Sequence, residues 1–126
     1  MRASIAGRAL IAGSVTLALG SGALAAEVAI SISIPVTGGA AVQSTGVAYD
    51  CGGKAVAATY VDAGTVSLAV LEIDGETVVA SNVVAASGAK YAGGRYVWWT
   101  KGEGADLYDL IQGGEETPAA RCDIAG

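Results

Sequence analysis

The sequence predicts a small all-β domain, an antiparallel barrel or sandwich, closed by one disulfide. Short segments rich in Val, Ala, Thr and Tyr alternate with glycines along most of the chain. No segment after residue 25 sustains an apolar repeat of helical period. The chain also has two cysteines and an export signal, a combination that favours a disulfide. Seven or eight turn-bounded strands are typical of a barrel or a sandwich.

Residues 1–25 predict a secretory signal peptide, because a basic start precedes an apolar stretch at 9–19 and small residues follow. Ala23 and Ala25 fit the cleavage motif. The apolar stretch is too short to span a bilayer, which disfavours the alternative of an N-terminal membrane anchor. No cysteine lies beside the cleavage site to carry a lipid. We therefore expect one exported domain, residues 26–126, without a stable membrane anchor.

The charge and the cysteines exclude several classes of ligand. The chain has a formal net charge of −5, and the part without Arg2 and Arg8 has −7, which disfavours a nucleic-acid partner. Acidity favours encounter with a basic protein, although it also simply keeps a small exported domain in solution. The chain has no histidine, and Cys51 and Cys122 lack the spacing of metal ligands, so no metal or cofactor is expected. Their expected role is one disulfide.

The strands follow one another at glycine-bounded intervals. Asp74-Gly75 between two β-rich runs predicts a tight hairpin. Residues 105–111 fit a strand or a short helical turn, and the alternation favours the strand. The predicted strands are residues 28–34, 46–51, 54–61, 65–73, 76–84, 95–101 and 105–111.

Two short stretches differ from the rest, Ser87-Gly88-Ala89-Lys90-Tyr91 and Tyr96-Val97-Trp98-Trp99-Thr100-Lys101-Gly102. The first predicts a turn that offers a serine hydroxyl. The second predicts a strand with a tryptophan on each face, so one indole is expected to be only partly buried. Its lysine lies at the strand end, where an ammonium can reach out of the sheet.

These stretches resemble the membrane-bound and periplasmic inhibitors of c-type lysozyme, a family marked by Ser-Gly-x-x-Tyr followed by Tyr-x-x-x-Thr-Lys-Gly. The resemblance also includes Tyr49-Asp50-Cys51 and Gly53-Lys54. It covers residues 46–123 and leaves residues 26–45 unmatched. Without a lipid-attachment cysteine, the chain is most similar to the soluble branch, which implies the periplasm of a Gram-negative bacterium.

The resemblance implies an eight-stranded antiparallel barrel that inhibits c-type lysozyme and is not an enzyme. Ser87 is expected to hydrogen-bond the two catalytic carboxyl groups of lysozyme, and Lys101 to pair with a carboxylate. C-type lysozymes are commonly basic, which suits an acidic partner. The lysozyme-binding residues that the resemblance implies are Ser87, Gly88, Tyr91, Tyr96, Thr100 and Lys101.

Three other functions remain open at this point. Ser87 and Lys101 are also the residue types of a serine–lysine nucleophile pair, although no nucleophile elbow or oxyanion hole is recognisable. A periplasmic module that binds a peptide or glycan without inhibiting lysozyme is the leading alternative. A structural envelope protein is the third. The sequence also leaves open whether the protein is a homodimer.

Overall fold

The structure, a computed structural model, describes Gly13 and residues 28–126. The predicted signal peptide and its cleavage site, residues 1–25, therefore lie outside the described residues except for Gly13. Within the unit Met1–Ile32, the described residues are exposed and have no regular secondary structure. The unit Ser33–Gly126 holds every strand of the described chain. No helix in the described part is long and apolar enough to cross a membrane.

Eight antiparallel strands form a closed barrel in which each strand pairs with the next and the last pairs with the first. The expected all-β, eight-stranded antiparallel barrel is therefore confirmed. The strands are β1 (Gln43–Cys51), β2 (Lys54–Ala63), β3 (Val66–Ile73), β4 (Glu76–Val83), β5 (Ala89–Gly93), β6 (Tyr96–Lys101), β7 (Gly104–Asp109) and β8 (Ala120–Ile124).

The hairpin between β3 and β4 has the turn that the sequence predicts. Asp74 has a φ of 51° and Gly75 a φ of 77°, while Ile73 pairs with Glu76. Two consecutive residues with positive φ are the mark of a type I′ turn, whose twist matches that of the flanking strands. Aspartate and glycine tolerate this conformation better than most residues.

The strand predicted at residues 28–34 is wrong. These residues form no strand, and Val28 and Ile30 are 93% and 87% exposed. Alternation predicts an extended chain with two different faces, but a strand also needs a hydrogen-bonding neighbour, which the local sequence does not encode. Conversely, the short strands β5 and β8 carry too few alternating residues for the sequence to separate them from turns.

Aromatic side chains fill the middle of the barrel and satisfy their own polar groups. Trp98 is 0% exposed and donates its indole N–H to the Tyr60 hydroxyl at 2.8 Å. The Tyr49 and Tyr60 hydroxyls lie 2.8 Å apart, and the Tyr49 and Trp98 rings pack edge to face with centroids 5.0 Å apart. Burial raises the pKa of Tyr60, because its phenolate would be poorly solvated there.

The barrel closes at its shortest ladder, between β1 and β8. Only two residue pairs stand in register there, Tyr49 with Ile124 and Asp50 with Asp123. The predicted disulfide between Cys51 and Cys122 is present beside them, and both cysteines are buried. It therefore joins the two ends of the sheet covalently where the backbone hydrogen bonds are fewest.

An ion pair fixes the start of the long connection between β7 and β8. Arg95 forms a two-pronged contact with the buried Asp109, with Nε 2.9 Å from Oδ1. The Leu110 backbone N–H also donates to the Arg95 carbonyl at 2.8 Å. The hydrogen bond from Arg95 lowers the pKa of Asp109. This pair lies at the end of the barrel that carries the Asp74–Gly75 turn, since β3 and β7 both end there.

Candidate functional site

The β5–β6 hairpin brings the two sequence motifs to one end of the barrel. β5 and β6 are antiparallel with Ala89 opposite Thr100, so the start of β5 lies beside the end of β6. Ser87 and Gly88 precede β5, and Lys101 ends β6. We call the four residues Ser87, Gly88, Thr100 and Lys101 the Ser87–Lys101 edge. It is at the opposite end from the Arg95–Asp109 pair.

Gly88 allows the loop to lie directly against the backbone of β6. It has a φ of +65°, and a Cβ at this position would collide with the carbonyl oxygen of Thr100. The Thr100 hydroxyl in turn donates to the Ala89 carbonyl at 3.2 Å. A larger residue at Gly88 would be strained and would also displace the loop. The glycine of the first motif therefore has a steric cause.

Ser87 is exposed and is held through its backbone. Its carbonyl oxygen accepts a hydrogen bond from the Trp99 indole N–H at 2.8 Å. This bond fixes the main chain next to the serine side chain without using its hydroxyl. A serine hydroxyl can donate one hydrogen bond and accept others. The edge therefore presents a positioned hydroxyl at the surface.

Lys101 extends outward from the end of β6, and its ammonium has two neighbours. Nζ lies 3.7 Å from Oδ2 of Asp106 and 4.1 Å from the centroid of the Trp99 ring. The Lys101 side chain is 46% exposed, which leaves the charged group accessible to a partner. At this distance and exposure the ion pair is weak, so an external carboxylate can displace Asp106.

A second lysine lies near the same indole. Lys90 Nζ is 4.9 Å from the Trp99 centroid and 3.2 Å from Oε1 of Glu115. Its side chain is only 16% exposed. The sequence predicts only a solvated loop charge at Lys90, whereas the side chain is largely buried. Alternation leaves open which indole of β6 is the less buried one. In the structure Trp99 is half-buried on the outer face, while Trp98 fills the core.

The two tyrosines expected at the site lie elsewhere in the fold. Tyr91 is 5% exposed and packs inside the barrel, with its ring centroid 5.7 Å from that of Tyr60. Tyr96 is half-buried at the far end of β6, where the Arg95 guanidinium lies 5.6 Å from its ring. Tyr96 and Lys101 are five positions apart along β6, a distance of roughly 17 Å. The structure therefore joins Ser87, Gly88, Thr100 and Lys101, and leaves the two tyrosines apart from them.

Two surface hollows lie away from this edge. One, of about 530 Å³, is lined by residues around Lys54 and Asp74, and another, of about 480 Å³, includes Arg95 and Tyr96. Neither is lined by a member of the Ser87–Lys101 edge. A third and smaller hollow, of about 250 Å³, is lined by Lys101 and Asp106, so one member of the edge borders it.

Comparison with known proteins identifies a matching family and two similar relatives. Residues 49–116 match the family described as membrane-bound lysozyme-inhibitor of c-type lysozyme. A membrane-bound lysozyme inhibitor of C-type lysozyme from Pseudomonas aeruginosa is 45% identical over 91 residues, which are 71% of this chain and 72% of the relative. A protein of the same name from Cupriavidus necator is 50% identical over 78 residues, 60% of this chain and 62% of the relative.

A solved structure has the same fold. The crystal structure of Pseudomonas aeruginosa MliC in complex with hen egg white lysozyme aligns with a TM-score of 0.63 and 39% sequence identity. The alignment covers 79% of this chain and 100% of that chain. This structure and the two sequence relatives carry the same family description, so the similarity in fold and the similarity in sequence agree.

Proposed function

The chain belongs to the family of membrane-bound lysozyme inhibitors of c-type lysozyme, and from this premise we propose that it inhibits a c-type lysozyme by inserting its Ser87–Lys101 edge into the active-site cleft. The observation that carries the proposal is the placement of the Ser87 loop and the Lys101 ammonium side by side at one end of the barrel. The named partner of the solved relative, hen egg white lysozyme, supports it.

The chemistry of the edge suits the active site of a retaining glycosidase. Such an enzyme has two carboxyl groups about 5–5.5 Å apart, one protonated and one ionised. The Ser87 hydroxyl can accept from the first and donate to the second. The Lys101 ammonium can pair with the ionised group, and exclusion of water from the cleft strengthens this charge-assisted bond. Inhibition then follows because the substrate cannot enter.

The rest of the edge supports these two groups. Gly88 lets the loop approach β6, and Thr100 ties β6 to the start of β5. We assign Tyr91 a supporting role from inside the barrel, because its side chain is buried. Lysozyme could contact Tyr96 only if it also reached the other end of the β5–β6 hairpin. The contact with Tyr96 therefore stays a prediction.

The charge of the chain fits this partner. Without Arg2 and Arg8 the formal net charge is −7, so long-range attraction to a basic lysozyme should accelerate association. Lys101 then enters the cleft as a local positive charge on an acidic protein. We further propose that the protein acts in the periplasm and has no catalytic activity of its own.

Lysis of a bacterial cell-wall suspension by a c-type lysozyme tests the proposal, with the purified, oxidised protein titrated in. We expect saturable inhibition near one-to-one stoichiometry. Ser87→Ala and Lys101→Ala should each weaken inhibition by about ten- to a hundredfold, since each removes a bond to a charged group. Lys54→Ala is the matched control, because it removes an exposed lysine at the opposite end of the barrel.

Three results would contradict the proposal. The first is no inhibition by a large excess of the folded protein. The second is equal weakening by Lys54→Ala and Lys101→Ala, which would assign the effect to net charge. The third is hydrolysis of generic esters that disappears with Ser87→Ala, which would favour the serine–lysine enzyme. Binding to cell-wall polymer without lysozyme would favour the glycan-binding module.

A further inference from the structure

Trp99 contacts both Ser87 and Lys101, the two groups of the Ser87–Lys101 edge that are proposed to bind lysozyme. It lies half-buried on the outer face of β6, where Lys90 stands opposite it on β5 and Asp106 on β7. Its indole N–H contacts the main chain of Ser87, and its ring lies against the Lys101 ammonium. Because Trp99 is not part of the hydrophobic core, packing of the core does not explain either contact.

The indole N–H determines where the serine loop lies. The Nε1 to Ser87 O distance of 2.8 Å is that of a good hydrogen bond. Among aromatic side chains of similar size only tryptophan offers a donor at this position, because phenylalanine has no polar atom and the tyrosine hydroxyl points along another direction. Residues 86–88 are exposed, and this hydrogen bond holds their main chain to the side chain of a β6 residue. Loss of this bond should therefore release the loop.

The ring face determines where the ammonium of Lys101 lies. Its Nζ is 4.1 Å from the ring centroid, within the range of a cation–π interaction. Lys90 lies at 4.9 Å from the same centroid and would repel Lys101. Glu115 and Asp106 pair with Lys90 and Lys101, respectively, so two carboxylates balance two ammonium groups around one indole. The long lysine side chain is thus restrained before any partner binds.

We propose that Trp99 is a positioning residue of the inhibitory site, which orders the Ser87 loop through its N–H and the Lys101 ammonium through its ring face. The proposal rests on the proposed function for its effect on lysozyme, but the ordering is a property of the free protein. Pre-ordering both groups lowers the conformational entropy that is lost on binding, and this raises affinity without a contact to the enzyme.

Two variants separate the two contacts. Trp99→Phe keeps a ring beside Lys101 and removes the donor to Ser87, whereas Trp99→Leu removes both. NMR order parameters of the free protein should fall in residues 86–88 for both variants. The Lys101 side chain should become more mobile only with Trp99→Leu. Wild-type and variant barrels should keep the same amide spectrum in β1–β4, which shows that the fold is intact.

Double-mutant cycles in the lysis assay connect this order to inhibition. Trp99→Phe should weaken inhibition about tenfold, the effect of one hydrogen bond, and should do so much less when Ser87 is already alanine. The effects of Trp99→Phe and Lys101→Ala on inhibition should be additive, because the phenylalanine ring keeps its contact with Lys101. Trp99→Leu should weaken inhibition further and be non-additive with both.

The proposal is overturned if both Trp99 variants leave the loop as ordered as in the wild type, or if their effects on inhibition are additive with both Ser87→Ala and Lys101→Ala. If the wild-type protein does not inhibit lysozyme, the proposed function fails, while the order parameters still decide whether Trp99 positions the two groups. The two failures are therefore distinguishable.

Discussion

Cys51 and Cys122 are joined by a disulfide immediately beside the two residue pairs that close the barrel. The bond links β1 to β8 across a sequence separation of 71 residues. All other neighbouring strands are also neighbours in sequence, so this is the one seam of the described barrel whose closure brings distant parts of the chain together. The disulfide therefore acts where the loop-closure entropy is largest.

Replacing both cysteines by alanine should lower the free energy of unfolding by about 4 kcal/mol, the value that the chain-entropy model gives for a loop of this length. Urea unfolding with and without a reductant measures the difference. The wild-type midpoint should fall on reduction, whereas the midpoint of the double variant should not change. Equal midpoints for the oxidised and reduced wild type would show that the bond does not stabilise the barrel.

Tyr60→Phe should destabilise the barrel by about 1–3 kcal/mol, because it leaves the buried indole N–H of Trp98 without an acceptor. Urea unfolding at neutral pH measures the loss. Tyr108→Phe is the control, since it also removes one phenolic hydroxyl but leaves the hydrogen bonds of the core in place. Equal losses for the two variants would contradict the role of Tyr60 as acceptor.

The raised pKa of Tyr60 predicts that the free energy of unfolding falls at alkaline pH. Burial raises its pKa in the folded state, so its contribution is fully present below the ordinary tyrosine pKa of about 10 and declines as the pH rises above it. Stability measured between pH 8 and pH 11 should fall more steeply for the wild type than for Tyr60→Phe. Parallel curves would mean that other groups cause the alkaline loss.

The lowered pKa of Asp109 predicts that the stability of the fold falls at acidic pH. The hydrogen bond from Arg95 lowers the pKa of this carboxyl group in the folded state. Its stabilising effect is therefore present above the ordinary aspartate pKa of about 3.9 and is lost as the pH falls through the lower, folded value. Asp109→Asn should lower the melting temperature at neutral pH and flatten its decline below pH 4. Asp74→Asn, in an exposed ion pair, should change little.

Gly88→Ala should weaken inhibition of lysozyme more than tenfold, because the added Cβ collides with the Thr100 carbonyl and displaces the Ser87 loop. Gly102→Ala is the matched control: its φ of +61° is similar, but nothing lies within 4 Å of the added atom. It should cost only the strain of a left-handed residue, about 1–2 kcal/mol of stability. If both variants lose inhibition to the same extent, backbone strain and not the collision with Thr100 causes the loss.

The sequence predicts much of the barrel wall correctly. The segments that became β1–β4, β6 and β7 have alternating side chains bounded by glycines, and such patterns are local. The strand predicted at residues 28–34 has the same pattern and is wrong, because pairing depends on a distant partner. Alternation puts Trp98 and Trp99 on opposite faces of β6, but it decides neither which of them points outward nor which groups Trp99 contacts.

The sequence by itself determined the chemical groups: two cysteines for one disulfide, a Ser-Gly turn, and a lysine at a strand end. Only the tertiary structure decided which of them meet. Ser87 contacts Trp99, Lys101 faces Asp106, and the two tyrosines of the motifs lie apart from them. The physical reason is register: the period of two along a strand assigns a side chain to a face, whereas its neighbours on that face depend on how adjacent strands are aligned.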